Sequence, residues 1–121
     1  MTGGTFLVVA LAGGVGACAR FWLDRGVQRA LSSWDDPAAA KLGILVVNVI
    51  GCFLAGVVTR LGPVSIMPIV STGFLGGFTT FSTAVVDAVS LWAGFRGRSL
   101  ALALGTWAVS WGAAVVGIAV A

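Results

Sequence analysis

Gly73-Phe74-Leu75-Gly76-Gly77-Phe78-Thr79-Thr80-Phe81-Ser82-Thr83 lies in the middle of an apolar segment that runs from about Ile66 to Phe95. A membrane helix needs only about 20 apolar residues to cross the hydrocarbon. This segment is longer, and its centre holds three glycines followed by a run of Thr-Thr-Phe-Ser-Thr. Glycine weakens a helix, and hydroxyl side chains compete for its backbone hydrogen bonds. The stretch therefore predicts a helix broken at membrane depth, with backbone leaving α-helical geometry near Gly76 to Thr79. Irregular backbone survives there only where protein buries it or where it lines a polar cavity. Its freed carbonyls are candidate cation ligands, as at the unwound helices of transporters. A second reading stands beside the first: Gly73 and Gly77 form GxxxG, the signature of a tight helix-packing face.

Composition on either side of this stretch sets the class. Of 121 residues, 59% are hydrophobic and 9% charged, with a mean hydropathy of +1.07. Soluble domains carry about 25% charged residues, so an all-α integral membrane protein is expected. The pI is about 9.7, but the net charge of +3 is spread over loops without interleaved aromatics. That excludes a nucleic-acid partner and leaves the lipid bilayer as the surroundings. Histidine and tyrosine are absent and the acids are four aspartates, which is poor material for an enzyme. Cys18 and Cys52 sit in apolar runs without CxxC spacing and read as small hydrophobes rather than metal ligands.

The third span, about 66–94, is joined by three others, about 5–23, 41–60 and 99–120, and together they make one membrane domain over 1–121. Val15-Gly16-Ala17-Cys18 looks like a cleavage site, but residues 2 to 19 contain no Lys or Arg to form a signal-peptide n-region, so cleavage is not expected. Arg20 ends the first span, where it can snorkel to the interface or draw anions toward a vestibule. The loop from Asp24 to Ala40 has a roughly helical pattern of Phe21, Trp22, Val27, Ala30, Leu31 and Trp34. It predicts a short interfacial helix, with a further helix start at Asp35-Asp36-Pro37. Asn48, near the centre of the second span, needs a partner, since an unpaired amide in hydrocarbon costs several kcal/mol. It reads equally as glue between helices or as a donor to a permeating anion. In the fourth span Thr106 and Ser110 are one turn apart on one face.

Arg25, Arg29, Lys41, Arg96 and Arg98 fall on one side of the membrane with Arg20 close by, against Arg60 on the other. Basic loops prefer the cytoplasm, so both termini are expected outside, in a single orientation.

Three motifs now add up. Gly13-Gly14-x-Gly16-Ala17-x-x-Arg20, Gly43-x-x-x-Val47-Asn48-x-x-Gly51-x-Phe53 and Gly73-Phe74-x-Gly76-Gly77-x-Thr79-Thr80-Phe81-Ser82-Thr83 resemble, in order and spacing, the Fluc/CrcB family of bacterial fluoride channels. The resemblance covers the whole chain. It implies four-helix subunits paired as an antiparallel dimer in the bacterial plasma membrane. It also implies two anion pores that let fluoride leave passively, lowering its cytoplasmic level. A structural, untransported Na⁺ at the dimer centre is implied as well, held by the backbone carbonyls of Gly76 and Thr79. By the same resemblance Asn48, Phe81, Ser82, Thr83 and Ser110 belong to the fluoride pathway. These groups suit the role: amides and hydroxyls donate hydrogen bonds, and an aromatic ring has an electropositive edge that can stand in for hydration.

The chain also departs from the family's pattern. Ala84 stands where a second phenylalanine is usual, and Thr106 where tyrosine is expected. With the charge bias, this favours a paralogous partner subunit of opposite orientation, with a homodimer that tolerates both features as the alternative. Two alternatives follow: a non-conducting or half-competent partner subunit, and a small four-span proton-coupled multidrug exporter. The exporter needs a carboxylate deep in the first span, and none precedes Asp24.

Overall fold

The computed structural model describes residues 2–33, 41–94 and 96–121. Four helical segments among them are long and apolar enough to cross a membrane, as the sequence predicts. The chain is a multi-pass membrane protein by that measure.

The first segment, α1, spans Gly3–Ala30. The Thr2 hydroxyl caps it by accepting a hydrogen bond from the Thr5 N–H at 3.2 Å. Its 28 residues make it about 42 Å long at 1.5 Å per residue, well beyond a hydrocarbon core of roughly 30 Å. The separate interfacial helix expected after Asp24 is therefore not found over its described part. Asp24 to Ala30 continues α1, supported by a hydrogen bond from Gln28 Nε2 to Asp24 Oδ2 at 3.0 Å and by Arg25 over the Phe21 ring. The expected second helix start at Asp35-Asp36-Pro37, like Trp34, lies outside the described residues.

Helix α2, Leu42–Leu61, ends where Gly62 turns to extended backbone and Pro63 bars continuation. The third span, Pro68–Trp92, is composite. It opens with a π-helical segment, Pro68–Leu75, continues as one α-helical turn, α3 (Gly76–Phe78), breaks, and resumes as α4 (Ser82–Trp92). Helix α5 spans Arg96–Val120. Arg96 and Arg98, expected in a turn, thus belong to its first turns, where Arg96 lies over the Trp92 ring at 5.2 Å.

Lipid offers helices little hydrophobic reason to associate, so small residues that permit backbone contact carry the packing. Two such seams of backbone against backbone are found among the described residues. Along the first, α1 meets the third span: a Cβ on Gly77 would strike the Gly13 backbone, and one on Gly16 would strike the carbonyl of Phe74. Gly73 faces Val9 and Ala12, so the GxxxG reading holds for this pair of glycines. Along the second seam, Gly56 of α2 lies on the backbone at Ala114, and Gly117 of α5 on the backbone at Phe53. Between the seams the buried side chains are few, chiefly Ile44, Val47, Leu75, Phe78, Ala88 and Leu91. Phe74 and Phe78 stack at 5.8 Å between centroids.

Candidate functional site

The break in the third span is built from three side-chain-to-backbone substitutions. Thr79 turns to extended backbone, with φ −82° and ψ 157°. Its N–H and its hydroxyl both reach the Leu75 carbonyl at 2.9 Å, ending the helix. Thr80 donates its N–H to Asn48 Oδ1 at 2.9 Å, and Asn48 Nδ2 donates back to the Thr80 carbonyl at 2.8 Å. The Thr80 hydroxyl then accepts from the Thr83 N–H at 3.3 Å, satisfying one of the free donors that open α4. In an unbroken helix the Thr80 N–H would close on the Gly76 carbonyl. Asn48 takes that donor instead.

The break is therefore present but falls at the C-terminal edge of the expected window. Gly76, Gly77 and Phe78 stay α-helical, and the departure begins at Thr79. The physical reason is that Gly77 is occupied as a packing surface for Gly13, while Thr79 and Thr80 have alternative partners for their backbone. The π geometry before the break is a finding that glycine content did not predict. Gly76 N–H reaches back to the Ser71 carbonyl, five residues earlier.

Beside the break a groove of about 630 Å³ opens between α2, α4 and α5. That volume is within the roughly 300–1,000 Å³ usual for ligand sites. Asn48 and Cys52 line it from α2, Thr79 to Phe81 from the break, Ala84 and Val85 from α4, and Thr106 and Ser110 from α5. Its walls are mostly apolar, including the exposed Trp107 and Trp111. Asn48, Thr106 and Ser110 are buried polar residues. The Ser110 Oγ is buried with no hydrogen-bond partner among the described residues. Phe81 is 82% exposed at the groove's edge.

Of the residues singled out in the sequence, the structure brings Asn48, Thr79, Phe81 and Ser110 together in this groove. Ser82 and Thr83 stand on the exposed first turn of α4 and are not among its lining. Gly76 is exposed on α3. Arg20 is half-buried on α1, and it too is not among the lining residues. Cys52, Thr80 and Thr106 belong to the groove although none was chosen as a pathway residue. Cys52 was legible, because it follows Asn48 by one helical turn and shares its face. Thr80 joins through its backbone, which side-chain chemistry does not announce.

At the N-terminal end of α2, the cap residue Lys41 pairs with Asp87 of α4 at 3.6 Å. Asp24 Oδ1, buried without a hydrogen-bond partner among the described residues, lies against Gly43.

The family described as "CrcB-like protein, Camphor Resistance (CrcB)" matches residues 7–120. This chain belongs to the CrcB family. Its matched span includes both glycine seams, the break and the groove. Among similar proteins, one named fluoride-specific ion channel FluC, from Paracoccus denitrificans (strain Pd 1222), is 36% identical over 121 residues, covering 96% of the CrcB chain described here and 93% of that protein. The fluoride-specific ion channel FluC 1 of Leifsonia xyli subsp. xyli (strain CTCB07) is 46% identical over 96 residues, 75% of this chain and 66% of that one. The fluoride-specific ion channel FluC 2 of Cutibacterium acnes is 45% identical over 89 residues, 69% of this chain and 68% of that one.

Proposed function

We propose that this chain is a subunit of a fluoride channel of the bacterial plasma membrane, letting the ion leave the cytoplasm passively. The observation that carries the proposal is the groove at the helix break, where an apolar wall holds a few buried hydrogen-bonding groups at membrane depth. Fluoride is small and strongly hydrated, so a path for it must replace water with donors. Asn48 has two amide N–H groups and spends one on Thr80. The Ser110 hydroxyl is buried, with no hydrogen-bond partner assigned to it among the described residues. The Phe81 ring offers its electropositive edge at the rim. The relatives' names support the choice of anion.

One groove in one chain has an open side, and an antiparallel second subunit would close it and bring two breaks together. Among the described residues no three acidic, His or Cys side chains converge. A cation at the dimer centre would rest on backbone oxygens, and the Gly76 and Thr79 carbonyls suit it. The Gly76 carbonyl has lost its Thr80 donor to Asn48, and the C-terminal end of a helix is electronegative. A Na⁺ held there would supply fixed positive charge to carbonyls left without donors. The chain's own part is to keep those carbonyls free.

A specific observation favours a second reading within this one. Ala84 lines the groove, so the position where the family pattern places an aromatic ring presents only a methyl group. A paralogous partner of opposite orientation would restore the ring in one of two pores, and the numbered FluC 1 and FluC 2 names among the relatives fit paired subunits. Fluoride efflux from liposomes carrying this chain, alone and with a paralogue from the same organism, tests both readings. Efflux from the chain alone supports a homodimer. Efflux only from the pair supports the heteromer, and none from either defeats the channel.

A further inference from the structure

We infer that the C-terminal end of α1 is a binding surface for the phosphate headgroup of an anionic phospholipid, with Arg25 and Arg29 as its cationic contacts. The inference goes beyond the channel reading and does not depend on it. The apolar run of α1 ends at Leu23, while the helix continues to Ala30. At 1.5 Å per residue Arg25 lies about 3 Å and Arg29 about 9 Å past that point. The polar layer on each side of a bilayer is roughly 5–8 Å deep, and arginine is long enough to reach back into it. Both side chains therefore stand at headgroup level.

The direction of this face follows from what packs opposite it. At 3.6 residues per turn, Trp22, Arg25 and Arg29 share one side of α1, and Gly16 and Asp24 point the other way. Gly16 lies on the Phe74 carbonyl and Asp24 against Gly43 of α2, whereas Trp22, Arg25 and Arg29 are exposed. The Phe21 and Trp22 rings are 54% and 67% exposed and meet edge to face at 5.7 Å between centroids. Exposed rings at this depth belong in the boundary between acyl chains and headgroups. Arg25 lies over the Phe21 ring, 5.6 Å from its centroid, within reach of a cation–π attraction. The ring steadies the guanidinium beside the bilayer and leaves its N–H fork free for two oxygens of one phosphate.

The sign of the partner follows from the charges already paired. Neither Arg25 nor Arg29 has a carboxylate partner among the described residues, where the ion pair found is Lys41 with Asp87. The charge left facing outward is positive, and it selects a lipid of net negative charge over a zwitterionic one. Attraction to the electronegative end of the helix accounts for Arg29, in the last turn, but not for Arg25. Neither arginine lines the groove, so this surface is separate from the candidate site.

The test uses the purified full chain in a neutral detergent and measures bound lipid by native mass spectrometry, so insertion, which basic residues also direct, plays no part. Phosphatidylglycerol should bind more tightly than phosphatidylcholine of the same acyl chains. Arg25→Gln and Arg29→Gln should each weaken phosphatidylglycerol binding about fivefold, the scale of one basic residue at a membrane surface, and leave phosphatidylcholine binding unchanged. Arg25→Lys keeps the charge without the fork and should fall between Arg25→Gln and the parent. Arg60→Gln, toward the opposite face of the membrane, should alter neither lipid's binding. Equal binding of the two lipids overturns the inference, as does parental affinity in both glutamine variants or an equal loss in Arg60→Gln. Glycerol phosphate, the soluble headgroup, should not compete at equal concentration; competition would mean a site for soluble phosphates and overturn the lipid assignment. Both arginines are exposed, so lipid-free melting temperatures of the variants should match the parent. A lower value in Arg25→Gln and Arg29→Gln alike would assign the arginines to the fold and overturn the surface as well.

Discussion

Asn48 is engaged at both ends of its amide, and that makes its chemistry hard to substitute. Its oxygen holds the Thr80 N–H and its nitrogen holds the Thr80 carbonyl. Asn48→Asp keeps the first contact but sets a second acceptor against the carbonyl. Losing a buried hydrogen bond and leaving its partner unsatisfied costs about 1–3 kcal/mol. Asn48→Asp should therefore lower thermal stability in detergent more than Asn48→Ala, and it should abolish fluoride efflux, since its charge also repels the anion. Equal melting of the two variants would mean that the amide does not organise the break. Phe81 is the opposite case. Its ring is 82% exposed in one chain, so Phe81→Ala should change the subunit's intrinsic stability by less than roughly 0.5 kcal/mol while sharply reducing efflux. A melting loss as large as that of Asn48→Ala would assign the ring to structure.

At the scale of elements, one stretch serves two purposes, and its sequence carried both. Gly73 and Gly77 are a packing face, and Thr79 to Phe81 are the break. The two readings competed on paper because they share residues; in space they divide along the chain. Gly77→Val would drive a branched side chain into the Gly13 backbone. Overpacking of that kind costs about 1–3 kcal/mol or more when backbone must yield, and the variant should show a lower melting temperature and a poor monodisperse yield. Normal behaviour would mean that α1 can slide away from the third span at little cost. The four spans were legible because 20-residue apolar runs have few other uses. The π segment was not, since nothing in its local propensity distinguishes it from an α-helix. The continuation of α1 past Asp24 was missed because Phe21 and Trp22 read as an interfacial belt. Within the site, Asn48, Phe81 and Ser110 were legible from the resemblance and their chemistry. Thr80 was not, because its contribution is backbone.

For the whole molecule, charge and the open groove point in the same direction. Five basic residues, Arg25, Arg29, Lys41, Arg96 and Arg98, lie toward one end, against Arg60 toward the other. Such a bias favours one orientation of insertion. A cysteine placed at Ser33, in a chain whose native cysteines are replaced, should be protected from an external impermeant reagent in every molecule. Labelling of half the molecules would show dual insertion and remove the argument for an oppositely oriented paralogue. Ala84→Phe offers a complementary check. If the missing ring is what limits a homodimer, this variant should gain fluoride efflux without its partner, and an unchanged rate would place the limitation elsewhere.

The amide that closes the break belongs to a residue 32 positions earlier in the chain, and this has a consequence for biogenesis. A ribosome delivers Asn48 before Thr80, so the second span enters the bilayer with its polar group waiting for a segment not yet made. In the folded chain the Thr80 backbone is satisfied by Asn48 and not within its own helix, so until the third span docks it must either stay a continuous helix or carry an unsatisfied polar group in lipid. Its maturation is thus timed by capture, and a second span that fails to insert would leave the third as an exposed target for membrane quality-control proteases.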